Sequence, residues 1–107
     1  MKSNQLGEFQ EVVLLSILIL GNNAYGVSIQ EEINERLNRS ISRGALHAAL
    51  VRLEEKGFIR AKFGEASPVR GGRRKKFYQV TNSGREAVEQ TRNLRESMWA
   101  SILNLST

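Results

Sequence analysis

Cysteine and aspartate are absent from this 107-residue chain, and histidine and proline each occur once. Without cysteine, neither a disulfide nor a thiolate metal site is possible. A Ser–His–Asp or Cys–His catalytic arrangement cannot be assembled within one such chain, and no glycine loop has the spacing that cradles a phosphate. The sequence therefore predicts a protein that is not an enzyme and that holds no cofactor and no metal.

The acidic residues are all glutamates, eleven in number. A pair of glutamates can carry out acid–base catalysis, and counting alone leaves that alternative open. However, five of them lie in charged stretches with helical spacing, where a solvated helix face is the expected role. These five are Glu31, Glu32, Glu35, Glu54 and Glu55.

Long hydrophobic runs are also missing. The longest one, from Val12 to Leu20, is interrupted by Ser16 and is too short to span a bilayer. It also lacks the cleavage-site chemistry of a signal peptide. A hydrophobic fraction of 40% and a mean hydropathy of −0.37 are typical of a globular protein. We therefore expect a cytoplasmic protein that makes no membrane contact.

Positive charge is in excess, but it is confined to one stretch. Residues 1–57 carry six cations and seven glutamates, residues 58–80 carry seven cations and one glutamate, and residues 81–107 carry three of each. The basic stretch, FIRAKFGEASPVRGGRRKKFYQV, reads as two short strands joined by a loop. A basic hairpin on a near-neutral body suits a polyanion, which places nucleic acid first among the partners.

Three helices are predicted before the basic stretch. The first, Glu8–Leu20, is apolar around nearly its whole circumference and must be buried on more than one side. The second begins between Tyr25 and Ser28, since Ser28 and Glu31 have capping-box spacing. The third spans residues 42–57, with a serine N-cap and a glycine C-cap. The residues expected to face inward are Val27, Ile29, Ile33 and Leu37 in the second helix and Leu46, Ala49, Leu50 and Leu53 in the third.

Two strands and a long helix complete the chain. Alternation gives each strand one shared face: Ile59, Ala61 and Phe63 in the first, and Lys76, Tyr78 and Val80 in the second. Pro68 and a Gly–Gly pair mark the connecting loop. The last helix opens at Thr81, or at Ser83 with a capping box, and runs to about Leu105.

The order helix, helix, helix, strand, strand, helix predicts an α+β, mostly α fold. Its layout is that of a winged helix-turn-helix: three helices and a two-stranded wing, followed by a long C-terminal dimerisation helix. We expect residues 1–80 to form the DNA-binding domain and residues 81–107 to form the dimerisation helix of the same compact unit. In such domains the third helix enters the major groove and the wing lies against the backbone or the minor groove.

The outer face of the third helix carries the predicted base-reading residues. Small side chains at Gly44 and Ala48 allow close approach, Arg43 and His47 reach base edges or phosphates, and Val51 contacts a thymine methyl. The alternative is that the small residues are merely tolerated on an exposed surface and that His47 faces solvent. His47 has no partner ligands at metal-binding spacing. The predicted contacts of this helix are Ser42, Arg43, Gly44, His47, Ala48 and Val51.

The wing carries the predicted phosphate contacts. Arginines near a glycine-containing tip can enter a minor groove or fork onto phosphates. The alternative is that the charges protect an edge strand against aggregation. That role accounts for one or two lysines, but less well for five basic residues with no glutamate among them. The predicted contacts are Arg70, Gly71, Arg73, Arg74 and Lys75.

The last helix predicts a dimer. A helix of roughly 24 residues reaches about 36 Å, longer than a domain of this size needs, so its distal half has no surface to cover it. Burial against a second copy, together with the apolar first helix, predicts a two-fold homodimer; folding back onto the core is the alternative. The interface residues expected are Phe9, Leu94, Met98, Trp99, Ile102, Leu103 and Leu105. Met98 and Trp99 are also the predicted contacts of a flat small molecule, although packing alone is the commoner role of such a Trp.

Four segments resemble the PadR family of transcriptional regulators: LGEFQEVVLLSIL, AYGVSIQEEI, SRGALHAALVRLEEKGFI and GGRRKKFYQVTNSGREAV. Their shared spacing covers nearly the full chain. The resemblance implies a homodimeric bacterial repressor that binds a short palindromic operator and is released by small effectors, often aromatic. The family usually has Tyr where this chain has His47, and the single C-terminal helix is similar to the compact subgroup of the family.

We therefore predict a sequence-specific regulator that binds double-stranded DNA as a homodimer and represses transcription, with a small aromatic effector as a further partner. Two alternatives remain from other classes. One is a winged-helix protein-interaction module, and the other is a small-molecule sensor; neither would bind DNA directly.

Overall fold

The computed structural model describes residues 6–64 and 75–105. Within these ranges the chain forms, in order, α1 (Glu8–Leu20), a 3-10 turn (Gly21–Asn23), α2 (Gly26–Leu37), α3 (Arg43–Glu55), β1 (Ile59–Phe63), β2 (Lys76–Val80) and α4 (Asn82–Leu105). This order confirms the predicted α+β, mostly α class and the winged helix-turn-helix layout. No helix in these two ranges is long and apolar enough to cross a membrane.

α1 lies at the centre of the core. Its side chains Val13, Leu14 and Ile17 are buried, and the hydroxyl of Ser16 donates to the carbonyl oxygen of Val12 at 2.8 Å, so that no polar group is left without a partner there. The helix ends at Gly21, whose φ of 58° is a conformation that glycine adopts without strain. The other elements contribute to the same core Ile29, Ile33, Leu46, Leu50, Leu53, Phe58, Ile59, Tyr78 and Val88.

α2 and α3 form the helix-turn-helix, and side chains of α2 hold the turn between them. The chain leaves α2 at Asn38, in the left-handed region with φ 51°. The backbone amide of Ile41 then donates to Asn34 Oδ1 at 2.8 Å, and Gln30 Nε2 donates to the carbonyl oxygen of Ile41 at 2.9 Å. Both polar groups of a buried turn residue are thus satisfied from one helix, which fixes α3 relative to α2.

Two inward predictions for α2 are wrong. Ile29 and Ile33 are buried, but Val27 and Leu37 have 42% and 39% of their surfaces exposed. Helical periodicity locates the middle of an apolar stripe but not its width. Val27 lies two residues before Ile29, which places it about 200° around the helix axis, on the opposite side from the buried residue. The helix begins within the predicted range, yet Ser28 is not its N-cap: its hydroxyl accepts from the amide of Tyr25 at 2.9 Å.

α3 begins and ends as its local chemistry predicts. The Ser42 hydroxyl accepts from the amide of Ala45 at 3.0 Å, and Gly57 follows the helix with φ 77°. The chain then enters the antiparallel pair β1–β2, in which Ile59 lies opposite Val80 and Ala61 opposite Tyr78. This register confirms the predicted shared faces. The predicted loop at Pro68 lies outside the described residues.

α4 joins the domain without a linker. Its N-cap is Thr81, the first of the two predicted alternatives: the hydroxyl accepts from the amide of Gly84 at 3.1 Å and donates to the carbonyl oxygen of Gly57 at 2.6 Å. A Cβ built on Gly84 would overlap the carbonyl oxygen of Phe58 and would lie 2.9 Å from Val80 Cγ1. Glycine at this position therefore allows the first turn of α4 to lie directly against the backbone that precedes β1.

Candidate nucleic-acid interface

α3 presents two distinct faces. Its buried residues are Leu46, Ala49, Leu50 and Leu53, while the predicted contacts Arg43, Gly44, His47, Ala48 and Val51 are all exposed. Ser42 is exposed as well, but its hydroxyl is occupied by the N-cap hydrogen bond. The structure therefore brings the six predicted residues of α3 onto one accessible surface, with Ser42 mainly in a capping role.

Gly44 is not required by the fold. A Cβ placed there would meet only the Ser42 hydroxyl oxygen, at 4.0 Å, and the φ of Gly44 is not positive. Gly44 lies in the first turn of α3, where glycine is less favourable than alanine but costs less than the roughly 1 kcal/mol of a helix interior. The fold thus gains nothing from glycine at this exposed position, where the absent side chain leaves room for an approaching partner.

A shallow cleft adjoins this surface. It has a volume of about 220 Å³ and lies between α2, α3 and β2. Its floor is apolar and its rim carries a guanidinium, an imidazole and an amide, so it offers both van der Waals and hydrogen-bonding contacts. The lining residues are Gly26, Val27, Gln30, Arg43, Leu46, His47, Leu50 and Tyr78.

The start of α2 belongs to this surface, although no residue of α2 is among the predicted DNA contacts. Val27 is exposed and lines the cleft beside Arg43 and His47. A signal for it existed, because Val27 lies on the opposite side of the helix from the buried Ile29. Val27 thus adds an apolar side chain to the accessible surface formed by α3.

The base of the wing is cationic and is held to the helices. Lys76 Nζ lies 3.5 Å from the Glu54 carboxylate of α3, and Lys75 Nζ lies 4.2 Å from the centroid of the Tyr25 ring. Both lysines are exposed. The other four predicted wing contacts, Arg70, Gly71, Arg73 and Arg74, lie outside the described residues.

A second surface lies along the distal half of α4. Six large apolar side chains there are each more than half exposed, and 66% of Trp99 and 86% of Leu105 is accessible. The stripe consists of Leu94, Met98, Trp99, Ile102, Leu103 and Leu105. Leu15 and Ile19 of α1 are exposed as well, whereas Phe9, predicted in the same interface, is partly buried against the core. Monomeric soluble proteins rarely expose a continuous apolar stripe of this kind.

A groove of about 350 Å³ separates α1 from α4. Its apolar wall includes Leu15, Leu18, Val88 and Trp99, while Met98, the second predicted ligand contact, is not among its lining residues. The remaining lining residues are charged: Glu11, Arg85, Glu89, Arg92, Arg95 and Glu96.

Ion pairs organise the charged rim of this groove. Arg95 lies 3.1 Å from the Glu11 carboxylate, which joins α4 to α1. Arg92 donates to Glu96 at 2.9 Å, and this hydrogen bond raises the pKa of the exposed Arg92 guanidinium. Because the arginines and glutamates pair with each other, the rim is close to neutral and leaves the apolar wall as the dominant feature.

The three-helix core, the wing and the accessible face of α3 define a protein of the winged helix-turn-helix class. Residues 14–90 match the family described as the transcriptional regulator PadR-like family. The chain belongs to this family and is a transcriptional regulator by class, as its sequence predicts.

Similar proteins cover most of the chain. An uncharacterized protein of Lysinibacillus sphaericus is 36% identical over 86 residues, which are 78% of this chain and 74% of that protein. The structure of a transcriptional regulator from Clostridium thermocellum is 26% identical with a TM-score of 0.68, covering 92% of this chain and 91% of that one. A PadR family transcription regulator from Clostridium difficile has the same fold, with 24% identity, a TM-score of 0.67 and coverage of 92% and 99%.

Proposed function

We propose that this protein binds double-stranded DNA through α3 and the wing. The observation that carries the proposal is the exposed face of α3, where Arg43 and His47 flank Gly44 and Ala48. The glycine at position 44 is not required by the fold, which supports a role for this face in contacting a partner. A helix face of this composition fits the floor of a major groove, where arginine and histidine reach base edges or phosphates. Residues 1–80 would form the DNA-binding domain.

Two features support a homodimer through residues 81–107. The distal stripe of α4 is exposed over a helix of 24 residues, and the groove between α1 and α4 offers an apolar wall beside it. A second copy related by a two-fold axis would cover both, because an isologous contact places the same patch on each subunit. The dimer would present two α3 helices, and its operator would therefore be palindromic.

We propose that the protein represses transcription, since a dimer bound at a promoter excludes RNA polymerase from the same DNA. The partner DNA would place the protein in the cytoplasm.

We further propose release by a small aromatic effector at the dimer interface, supported by the exposed Trp99 on the wall of the groove. Titration with planar aromatic compounds tests this: quenching of the single Trp should coincide with weaker operator binding. Quenching without a change in DNA affinity would contradict the effector role.

Selection of bound duplexes from a random pool tests DNA binding and the dimer together. The expected product is an inverted repeat with half-sites whose centres lie one helical turn, or a multiple of it, apart. Enrichment of a single half-site would contradict the dimeric mode. No enrichment at low salt would contradict DNA binding and would favour the protein-interaction module.

A further inference from the structure

Tyr25 joins the start of α2 to the base of the wing. Its backbone forms an antiparallel bridge with Phe77 of β2, and the amide of Tyr78 donates to the carbonyl oxygen of Ala24 at 2.8 Å. The segment before α2 therefore occupies the edge of β2 that β1 leaves open. The helix-turn-helix and the wing are thus connected by backbone hydrogen bonding as well as through the core.

The side chain of Tyr25 extends this connection. Residues opposite each other in an antiparallel bridge have their side chains on the same face. The rings of Tyr25 and Phe77 accordingly meet edge to face, with centroids 5.6 Å apart and planes at 73°. Lys75, two residues earlier on the same face, places its ammonium 4.2 Å from the centroid of the Tyr25 ring.

Phe77 also lies against Gly64, the residue that follows β1. The amide of Gly64 donates to the carbonyl oxygen of Lys75 at 2.8 Å, which extends the pairing of the strands one step beyond Phe63. A Cβ at Gly64 would lie 2.7 Å from a ring carbon of Phe77, so glycine gives the ring room to lie across the hairpin. The row Gly64, Phe77 and Tyr25 thus spans the base of the wing and ends on α2.

The opposite face of the wing is held by a different helix. Lys76 alternates with Lys75 and Phe77 along β2, and its ammonium lies 3.5 Å from Glu54 of α3. That pair is exposed and salt-screened, so it contributes little to holding the wing. The contact between the Tyr25 and Phe77 rings is partly buried, so the Tyr25 side chain constrains the base of the wing more firmly than the Lys76–Glu54 pair does.

We infer that Tyr25 is a positioning residue for DNA binding: it holds the base of the wing, through Phe77 and Lys75, in the orientation in which the wing meets the DNA while α3 occupies the groove. This inference rests on the proposed function. Tyr25 acts through the wing and need not contact DNA. Lys75, predicted to contact phosphate, is in this arrangement also part of the support.

The test compares Tyr25→Leu with the matched control Tyr25→Phe on the selected operator. Phenylalanine keeps the ring that Lys75 and Phe77 contact, whereas leucine keeps bulk but removes the aromatic face. We expect Tyr25→Phe to bind within about twofold of the wild type and Tyr25→Leu to bind about fivefold more weakly, the scale of one cation–π contact. Hydroxyl-radical protection should be lost on the flanks that the wing covers and retained where α3 lies.

A measurement without DNA shows whether the variant is folded. Amide hydrogen exchange at Gly64 and Tyr78 should accelerate in Tyr25→Leu, because both donate at the base of the wing, while buried amides of α1 keep their protection. Loss of protection throughout the chain, with uniform weakening of the footprint, would show a purely structural role and overturn the inference. A wild-type footprint and affinity in Tyr25→Leu would also overturn it.

A double-mutant cycle with Lys75→Met assigns the role of the lysine. If Lys75 acts with Tyr25, the double variant should have the same DNA affinity as whichever single variant binds DNA less tightly. Additive losses would mean that the two residues act separately and would contradict the shared support. Failure of the wild type itself to protect any duplex would overturn the proposed function, an outcome distinct from unchanged binding by Tyr25→Leu alone.

Discussion

Gly44 and Gly84 are both helical glycines, but the structure gives them opposite roles. At Gly44 an added methyl group would meet open space, whereas at Gly84 it would collide with the backbone of Phe58. The fold requires glycine at position 84, whereas we propose that position 44 is left open for DNA. Substitution by alanine separates the two roles, because the signs of the expected changes in stability differ.

Gly44→Ala should stabilise the protein and weaken DNA binding. Because Gly44 lies in the first turn of α3, alanine should gain less than the roughly 1 kcal/mol of a helix interior. A methyl group on the proposed DNA-contacting surface should cost about 1–3 kcal/mol of binding, as the loss of one base contact does. Urea unfolding and operator titration on the same variant check both signs. Unchanged DNA affinity would show that close approach of the helix at this position is not needed.

Gly84→Ala should destabilise the fold by about 1–3 kcal/mol, the usual cost of forcing extra atoms into a packed site. The comparison variant is Gly26→Ala, at the start of α2, where a Cβ has no atom within 4 Å. The midpoint of urea unfolding should fall for Gly84→Ala and stay constant or rise for Gly26→Ala. Equal midpoints would mean that α4 moves away from Phe58 at little cost.

Arg43→Ala should relax base preference at one operator position, by about 1–3 kcal/mol. The guanidinium lies on the exposed face of α3 beside the cleft, where it can reach base edges. Binding to a set of single-base operator variants measures the preference. Equal weakening on every sequence would identify Arg43 as a phosphate contact.

Elements with local signals were predicted well. The N-cap at Ser42, the positive φ at Gly57 and the bounds of α1 follow from residues next to each other in the chain. The inward prediction for Val27 was wrong although helical geometry places it opposite Ile29. The bridge from Tyr25 to Phe77 was not predicted, because it joins residues that are distant in the sequence. Among site residues, the face of α3 follows from periodicity, whereas the contribution of α2 to the cleft needs the packed structure.

The wing is the element that should determine the salt dependence of binding. Each wing arginine is a predicted phosphate contact, so Arg73→Ala or Arg74→Ala should weaken binding on all sequences and reduce the salt slope by about one. Titrations at several salt concentrations measure the slope. Arg92→Ala on α4, where the guanidinium pairs with Glu96, is a suitable comparison and should leave the slope unchanged. Wild-type slopes in both wing variants would exclude the wing from the DNA contacts.

The whole molecule should depend on α4 for its assembly. Met98→Glu places a charge in the exposed stripe and should convert the proposed dimer to a monomer, because a carboxylate buried between two apolar helices lacks a partner. Ala100→Glu is the matched control, since it lies about 200° around the helix from Met98. Sedimentation velocity distinguishes the two masses. A dimeric Met98→Glu protein would place the interface elsewhere.

The close packing of Gly84 against Phe58 has a consequence for control. Because α4 starts directly after β2 and its first turn lies on the domain backbone, we expect it to rotate with the domain as one body. In the proposed dimer, a change in the crossing angle between the two copies of α4 would swing both recognition helices by the same rotation. A compound bound beside Trp99 would then change the distance between the two DNA-binding domains without altering either domain. The protein would release its operator because this distance would no longer match the spacing of the half-sites.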